Sequence, residues 1–172
     1  MGHNVTALIL KGPYSRIRAE PFDLVGFPLG DPALELTLFH FNHYFSACWQ
    51  SHFNSVGELP VPEKIPSWLL VPRERVLSLL MQKISEQENP RFMIMVTFYH
   101  GGAGDQFGCA YQNESPLPGP CTVSASLEHL GVVPDSGLDA FDTVGLQYIR
   151  SMPDGVAHRF DRYDDWSDEL DI

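Results

Sequence analysis

The sequence predicts an α+β fold, in which helices pack on a mainly antiparallel sheet of about five strands. An almost unbroken apolar run at residues 92–99 is followed by a glycine-rich connector and by a second strand pattern at 107–112, which together indicate a central hairpin. Apolar side chains recur at helical spacing in residues 73–87. A chain of 172 residues with 44% hydrophobic residues can bury a sizeable core, and we expect a single domain over residues 1–172.

Three further strands are predicted before the hairpin. Residues 4–10 alternate between apolar and polar side chains. Residues 22–29 form a weaker strand, and Pro28 places it at an edge of the sheet. Residues 34–41 form a firmer strand in which His40 shares a face with three leucines, while Phe39 and Phe41 lie on the other face.

Two helices follow, separated by a long proline-rich loop at residues 54–71. Asn42 is a good N-cap for the first helix, which should run to about Phe53. Phe45 and Trp49 continue toward Phe53 at four-residue spacing, which is typical of a core-facing stripe, and Cys48 lies beside them. We expect three apolar residues to anchor the loop to the core: Trp68, Leu69 and Leu70. The second helix is predicted at residues 73–87, after Pro72.

The connector of the hairpin, residues 100–105, contains Gly101, Gly102 and Gly104. Two interpretations stay open: an irregular loop that needs positive φ angles, and a backbone nest for an anion or a carboxylate. The stretch lacks the Gly-Lys-Ser/Thr end of a phosphate-binding P-loop and the spacing of a dinucleotide fingerprint.

Short helices capped by Thr122 or Ser124 and by Asp139 are predicted in the C-terminal half. The tail from about residue 161 to 172 holds six acidic residues. It is either a solvated terminus or an acidic–aromatic strip that docks a basic partner, in another chain or on its own domain. In the second case the partner-binding residues would be Asp164, Asp165, Trp166 and Asp168.

The composition excludes some classes of function. The 22 acidic and 11 basic residues give a formal charge of −11, which argues against nucleic-acid and anionic-membrane surfaces and permits a basic protein partner. Neither a transmembrane run nor a secretory leader is visible, and three cysteines without a CxxC pair fit reduced thiols, so we expect a cytoplasmic protein. Homo-oligomer formation stays open.

The densest polar cluster contains His40, Asn42, His43 and His52. His43 and His52 are nine residues apart, about 13 Å along a helix, so they cannot bind one metal together. His40 and His43 could converge at the corner between strand and helix, with His100 or Asp105 as a third group; these four are the candidate catalytic residues. No HExxH or CxxC pattern supports a metal site, and we expect neither metal nor cofactor.

Cysteine chemistry is a weaker hypothesis. Cys48 and Cys109 fall at positions predicted to be buried, where a thiol behaves as a small hydrophobe. Cys121 is in a loop without a histidine nearby in sequence.

Three segments carry a resemblance: GGAGDQ at 101–106, SLEHLGV at 126–132 and DAFDTVGL at 139–146. Together they resemble a small group of uncharacterised bacterial single-domain proteins, and the small, acidic character is similar to that of immunity or antitoxin-type inhibitors. The resemblance brings no established activity and no residue roles.

We therefore expect a non-enzymatic protein-interaction module of the inhibitor or immunity type. The alternative is a small ligand-binding or hydrolase-like protein, with a site where the corner of His40 and His43 meets the glycine loop. A deep polar pocket at that corner would favour the alternative, and a flat acidic surface would favour the interaction module.

Overall fold

The computed structural model describes residues 2–171, and it confirms the α+β prediction with a six-stranded antiparallel sheet in the order β2-β3-β1-β4-β5-β6. The strands are β1 His3–Lys11, β2 Gly26–Leu29, β3 Leu36–His40, β4 Arg91–His100, β5 Ala103–Gln112 and β6 Ser115–Pro116. The α-helices are α1 Arg16–Ala19, α2 His43–His52, α3 Val76–Ser85, α4 Val123–His129, α5 Ala140–Thr143, α6 Asp154–Ala157 and α7 Asp161–Leu170. The additional strand β6 contains two residues at the edge.

The sheet is the middle layer of the molecule because both of its faces are buried. Successive residues of β1, such as Leu8 and Ile9, belong to two different apolar clusters. The cluster containing Leu8 includes buried side chains of α2, α3 and α7, and the cluster containing Ile9 includes those of α4 and α5. We call these two sides of the sheet the α2 face and the α4 face. The arrangement explains why β4, which is central, is an apolar run without alternation.

The hairpin connector is shorter than predicted, because β4 and β5 extend to a two-residue turn. Gly101 and Gly102 have φ angles of 62° and 85°, a combination that suits a tight type I′ turn and costs little only for glycine. Gly104 lies within β5, where a Cβ atom would approach the carbonyl oxygen of Phe98 to 2.0 Å. These glycines thus serve the turn and the close pairing of the strands.

Several element boundaries also differ from the prediction. β3 begins at Leu36 because Pro32–Leu34 forms a 3-10 turn and Glu35 adopts a left-handed φ of 49°. α3 begins at Val76 because the residues after Pro72 pair with the long loop, through a bridge between Glu58 and Glu74.

The predicted N-caps are confirmed. Asn42 Oδ1 accepts the backbone N–H of Phe45 at 3.0 Å, and Thr122 Oγ1 accepts that of Ala125 at 3.3 Å. These bonds satisfy N–H groups that have no partner within the helix, and thereby fix where α2 and α4 begin.

The acidic tail forms helix α7, which docks on its own domain. Tyr163 and Ser167 are buried, and the Tyr163 ring lies against α2. Contacts advance in the same direction along both helices, from Phe45 with Phe160 to His52 with Trp166, so the two helices run parallel. Within the described chain, none of the helices combines the length and apolar character that crossing a membrane requires.

Candidate functional site: a cleft at one end of the sheet

A cleft of about 580 Å³ opens on the α2 face, at the end of the sheet where β1 begins and β4 ends. Asn4 and Thr6 of β1 contribute to its lining, and Val96 and Phe98 of the neighbouring β4 lie beside them. These side chains share one side because every second residue of a strand points to the same face. Asn42 and His43, at the start of α2, line another part of the cleft.

Three large apolar side chains in this cleft are exposed to solvent: Trp68 at 59%, Leu70 at 65% and Phe98 at 50%. The prediction that Trp68 and Leu70 anchor the long loop is wrong, since only Leu69 between them is buried. The apolar run at residues 92–99 predicts a buried Phe98, and this prediction is also wrong, because the cleft lies over this end of β4. Trp68 lies in a turn closed by the N–H of Leu69, which donates to the carbonyl oxygen of Pro66 at 3.0 Å, and no periodic pattern in residues 54–71 marks its exposure.

The polar residues of the cleft are partly committed to structure. Besides capping α2, Asn42 donates from Nδ2 to the carbonyl oxygen of Phe160 at 3.4 Å. The ring of His43 lies 3.9 Å from that of Tyr44, centroid to centroid. The lining is therefore mixed, with apolar rings beside short polar side chains.

His40 does not meet His43. It is 2% exposed on the α4 face, where its ring packs against Phe27, and it lines a separate cleft of about 360 Å³. Its Nδ1 is buried and has no hydrogen-bond partner among residues 2–171. Burial lowers the pKa of His40 from 6.5 to about 4, so the ring is neutral at pH 7. The predicted convergence is wrong because the chain passes through Phe41, on the opposite face, before α2 begins.

None of residues 100–105 lines the cleft of His43 or the cleft of His40. No heavy atom would lie within 4 Å of a Cβ atom added at Gly101 or Gly102. Asp105 pairs with Phe98 across the strands, and His100 is the last residue of β4. In the part of the chain that the structure describes, no group of three or more His, Cys, Asp or Glu side chains is placed to hold a metal ion.

Helix α7, which begins one residue after the contact of Phe160 with the cleft residue Asn42, presents an acidic outer face. Asp164, Asp165 and Asp168 are exposed, and none of them forms an ion pair within residues 2–171. The ring of Trp166 is half-buried, with its centroid 5.6 Å from that of Trp49. Of the predicted partner-binding residues, the aspartates therefore face solvent while the tryptophan packs against α2.

The cysteine thiols are protonated near neutral pH. Burial raises the pKa of Cys109 to about 11, and it also raises the pKa of Cys48 and of Cys121. A thiolate nucleophile therefore has no support from these environments.

No protein-family model, curated protein or solved structure matches this chain. Its function is accordingly inferred from the cleft, the acidic helix and the chemistry of their side chains.

Proposed function

We propose that this protein is a non-enzymatic interaction module of the inhibitor type, which binds a basic segment of another protein. In this proposal a bulky apolar side chain of the segment enters the cleft, and basic side chains beside it face α7. The observation that carries the proposal is the convergence of Trp68, Leu70 and Phe98, all at least half exposed, on one cleft.

Exposed apolar side chains that cluster in a concave surface are typical of binding sites, whereas isolated ones are ordinary. Aromatic residues also dominate the energetics of protein interfaces, because a buried ring contributes a large contact area at a small entropic cost. Trp68 and Phe98 have this character, and the short polar groups of Thr6 and Asn4 can accept or donate hydrogen bonds to a partner's backbone.

The negative charge of the protein surface favours a basic partner. The bond from Asn42 to the carbonyl of Phe160 joins the cleft lining to the residue that precedes α7. On the outer face of α7, Asp164, Asp165 and Asp168 form no ion pair among residues 2–171, and the formal charge of the chain is −11. Such a surface raises the association rate of a basic segment by steering it toward the cleft.

A catalytic role for the histidines has less support. His40 and His43 line different clefts on opposite faces of the sheet, so neither can orient the other. General acid–base chemistry requires such groups within hydrogen-bond reach of the same reacting atom.

Selection from a random peptide-display library tests the proposal with defined ligands. The selected peptides should combine net positive charge with one large apolar residue, and they should lose at least about tenfold in affinity for a Trp68→Ala, Leu70→Ala variant. Val133→Ala is the matched control, because Val133 is an exposed apolar residue outside this cleft. Peptides without basic residues, or peptides that bind the cleft variant as well as the wild type, would refute the proposal.

The contribution of α7 has its own test. Replacement of Asp164, Asp165 and Asp168 with Asn should lower the on-rate of a selected peptide more than it raises the off-rate, and the difference should shrink above about 0.15 M salt. A control variant removes three exposed charges elsewhere: Glu88→Gln, Glu128→Gln and Asp135→Asn. An equal decrease of the on-rate in both variants would show that the association rate depends on the net charge of the protein and not on the position of the acidic residues in α7.

A further inference from the structure

We infer that a second pocket, on the α4 face, binds a small zwitterion with an apolar body, of the class of the apolar α-amino acids. The pocket has a volume of about 310 Å³. It lies at the same end of the sheet as the cleft but on the other side, because the paired residues His3 and Tyr99 point opposite to their neighbours Asn4 and Phe98. This volume is at the lower end of the range for small-molecule sites.

Arg150 supplies a cation that has no partner. No carboxylate among residues 2–171 lies within 4.0 Å of its guanidinium, although the chain has twice as many acidic as basic residues. Its backbone is nevertheless fixed, since the carbonyl oxygen of Arg150 accepts the N–H of Asn4 at 2.8 Å. Arg150 is exposed on the lining of the pocket, and a guanidinium there can bind a carboxylate through two parallel hydrogen bonds.

Two side chains on the pocket lining offer oxygen atoms to a ligand donor: Gln147, which is partly buried, and Asp139, which is exposed. The Oε1 atom of Gln147 is buried and has no hydrogen-bond partner among the described residues, which costs free energy that a ligand N–H could recover once the amide turns toward the pocket. Asp139 uses Oδ1 to cap α5 through the N–H of Asp142, at 2.8 Å. Its second oxygen makes no hydrogen bond within residues 2–171. A ligand ammonium group fits this combination of amide and carboxylate oxygens.

Three aromatic rings, those of His3, Tyr99 and Phe141, also line the pocket. Phe141 and Tyr99 supply apolar ring surface for the body of the ligand. His3 lies 5.7 Å from Phe141, ring centroid to ring centroid. Its Nδ1 lies 2.7 Å from Thr97 Oγ1, and its Nε2 lies 3.2 Å from the carbonyl oxygen of Leu146. Since both ring nitrogens are occupied, His3 acts as a wall of the pocket, and the site binds without transferring a proton.

An NMR titration of the ¹⁵N-labelled protein with L-phenylalanine tests the inference. The amide signals of Tyr99, Phe141 and Arg150 should shift, with a Kd between about 10 μM and 1 mM. Two matched probes each lack one charged group: 3-phenylpropionate has no ammonium, and 2-phenylethylamine has no carboxylate. Each should bind at least about tenfold more weakly than L-phenylalanine.

Variants separate binding from stability. Arg150→Gln should reduce the affinity for L-phenylalanine to that for 2-phenylethylamine, while Arg159→Gln, which changes an arginine at a different cleft, should leave it unchanged. Gln147→Leu should weaken binding without lowering the Tm, because it removes an acceptor that has no donor. Absence of shifts at about 10 mM L-phenylalanine, or equal affinity of the wild type and Arg150→Gln, would overturn the inference.

Discussion

The hydroxyl of Tyr163 joins the acidic helix to the body of the domain, and Tyr163→Phe removes this single atom. Tyr163 is fully buried. Its hydroxyl donates to Asp23 Oδ2 at 2.8 Å and accepts from Trp49 Nε1 at 2.9 Å, so one oxygen connects α7, α2 and the turn before β2. A phenylalanine ring fills the same space and leaves the aromatic packing in place. The substitution therefore isolates the hydrogen bonds from the packing.

The expected loss of stability follows from the two groups that lose a hydrogen bond in Tyr163→Phe, the carboxylate of Asp23 and the indole N–H of Trp49. The hydrogen bond to the Asp23 carboxylate contributes about 1.5–3 kcal/mol, and a buried Trp49 N–H without an acceptor costs about 1–3 kcal/mol. Arg162 still pairs with Asp23 at 2.6 Å, which moderates the first loss, although this arginine is half exposed and contributes little by itself. We expect the free energy of unfolding to fall by about 2–4 kcal/mol.

Urea unfolding followed by tryptophan fluorescence and by far-UV circular dichroism measures this change. Tyr148→Phe is the control, because Tyr148 is 81% exposed and its substitution should stay within about 0.5 kcal/mol. A decrease for Tyr163→Phe no larger than that of the control would refute the assignment of these bonds to stability.

Titration of the Tyr163 hydroxyl should also lower the stability of the protein at alkaline pH. Burial raises the pKa of Tyr163 above its ordinary value of 10, so its contribution to stability is fully present below pH 10 and is lost as the pH rises further. Tyr163→Phe should therefore show a smaller alkaline decrease than the wild type.

Three further outcomes are expected. His40→Leu should remove part of the loss of stability at acid pH. The free energy of unfolding of the wild-type protein should fall by up to about 3 kcal/mol between pH 6.5 and about 4, because His40 binds a proton in the unfolded chain and not in the buried site. Urea midpoints of both proteins at pH 7 and 4.5 measure the difference. Gly108→Ala should lower the free energy of unfolding by about 1–3 kcal/mol, because its Cβ would lie 2.7 Å from Val123 Cα; Gly155→Ala, with no atom within 4 Å, should be near neutral. Trp49→Ala should cost about 3–5 kcal/mol in the same unfolding assay, and an unchanged Tm would contradict the packing of α2.

Local patterns predicted much of the fold. The N-cap at Asn42 and the stripe through Phe45 and Trp49 placed α2 correctly, because capping and helical periodicity are properties of neighbouring residues. The alternation in β3 placed His40 and Phe41 on opposite faces, and the structure has them there. The same alternation contradicts a shared site for His40 and His43, since α2 continues from the side of Phe41.

The clefts depend on contacts that no local pattern describes. The pocket on the α4 face combines His3 and Tyr99 with Arg150, which lies about 50 residues beyond Tyr99 in the chain. Its assembly requires the register of β1 with β4 and the path of the chain after α5. Likewise, the acidic tail has a helical spacing of buried positions, but its contacts with α2, such as the bond from Trp49 Nε1 to the Tyr163 hydroxyl, are what stabilise this charged segment as an ordered helix.

The central position of β1 has a consequence for how the chain folds during synthesis. β1 precedes every other strand of the described sheet in the chain, yet one of its edges pairs with β4, about 90 residues later, and the other with β3. At 5–20 residues per second, the edge that faces β4 stays unpaired for roughly 5–20 seconds after β1 leaves the ribosome. Contacts between residues so distant in sequence also slow folding, because a long loop must close before they form. We therefore expect the growing chain to depend on chaperones that cover apolar strands until β4 emerges.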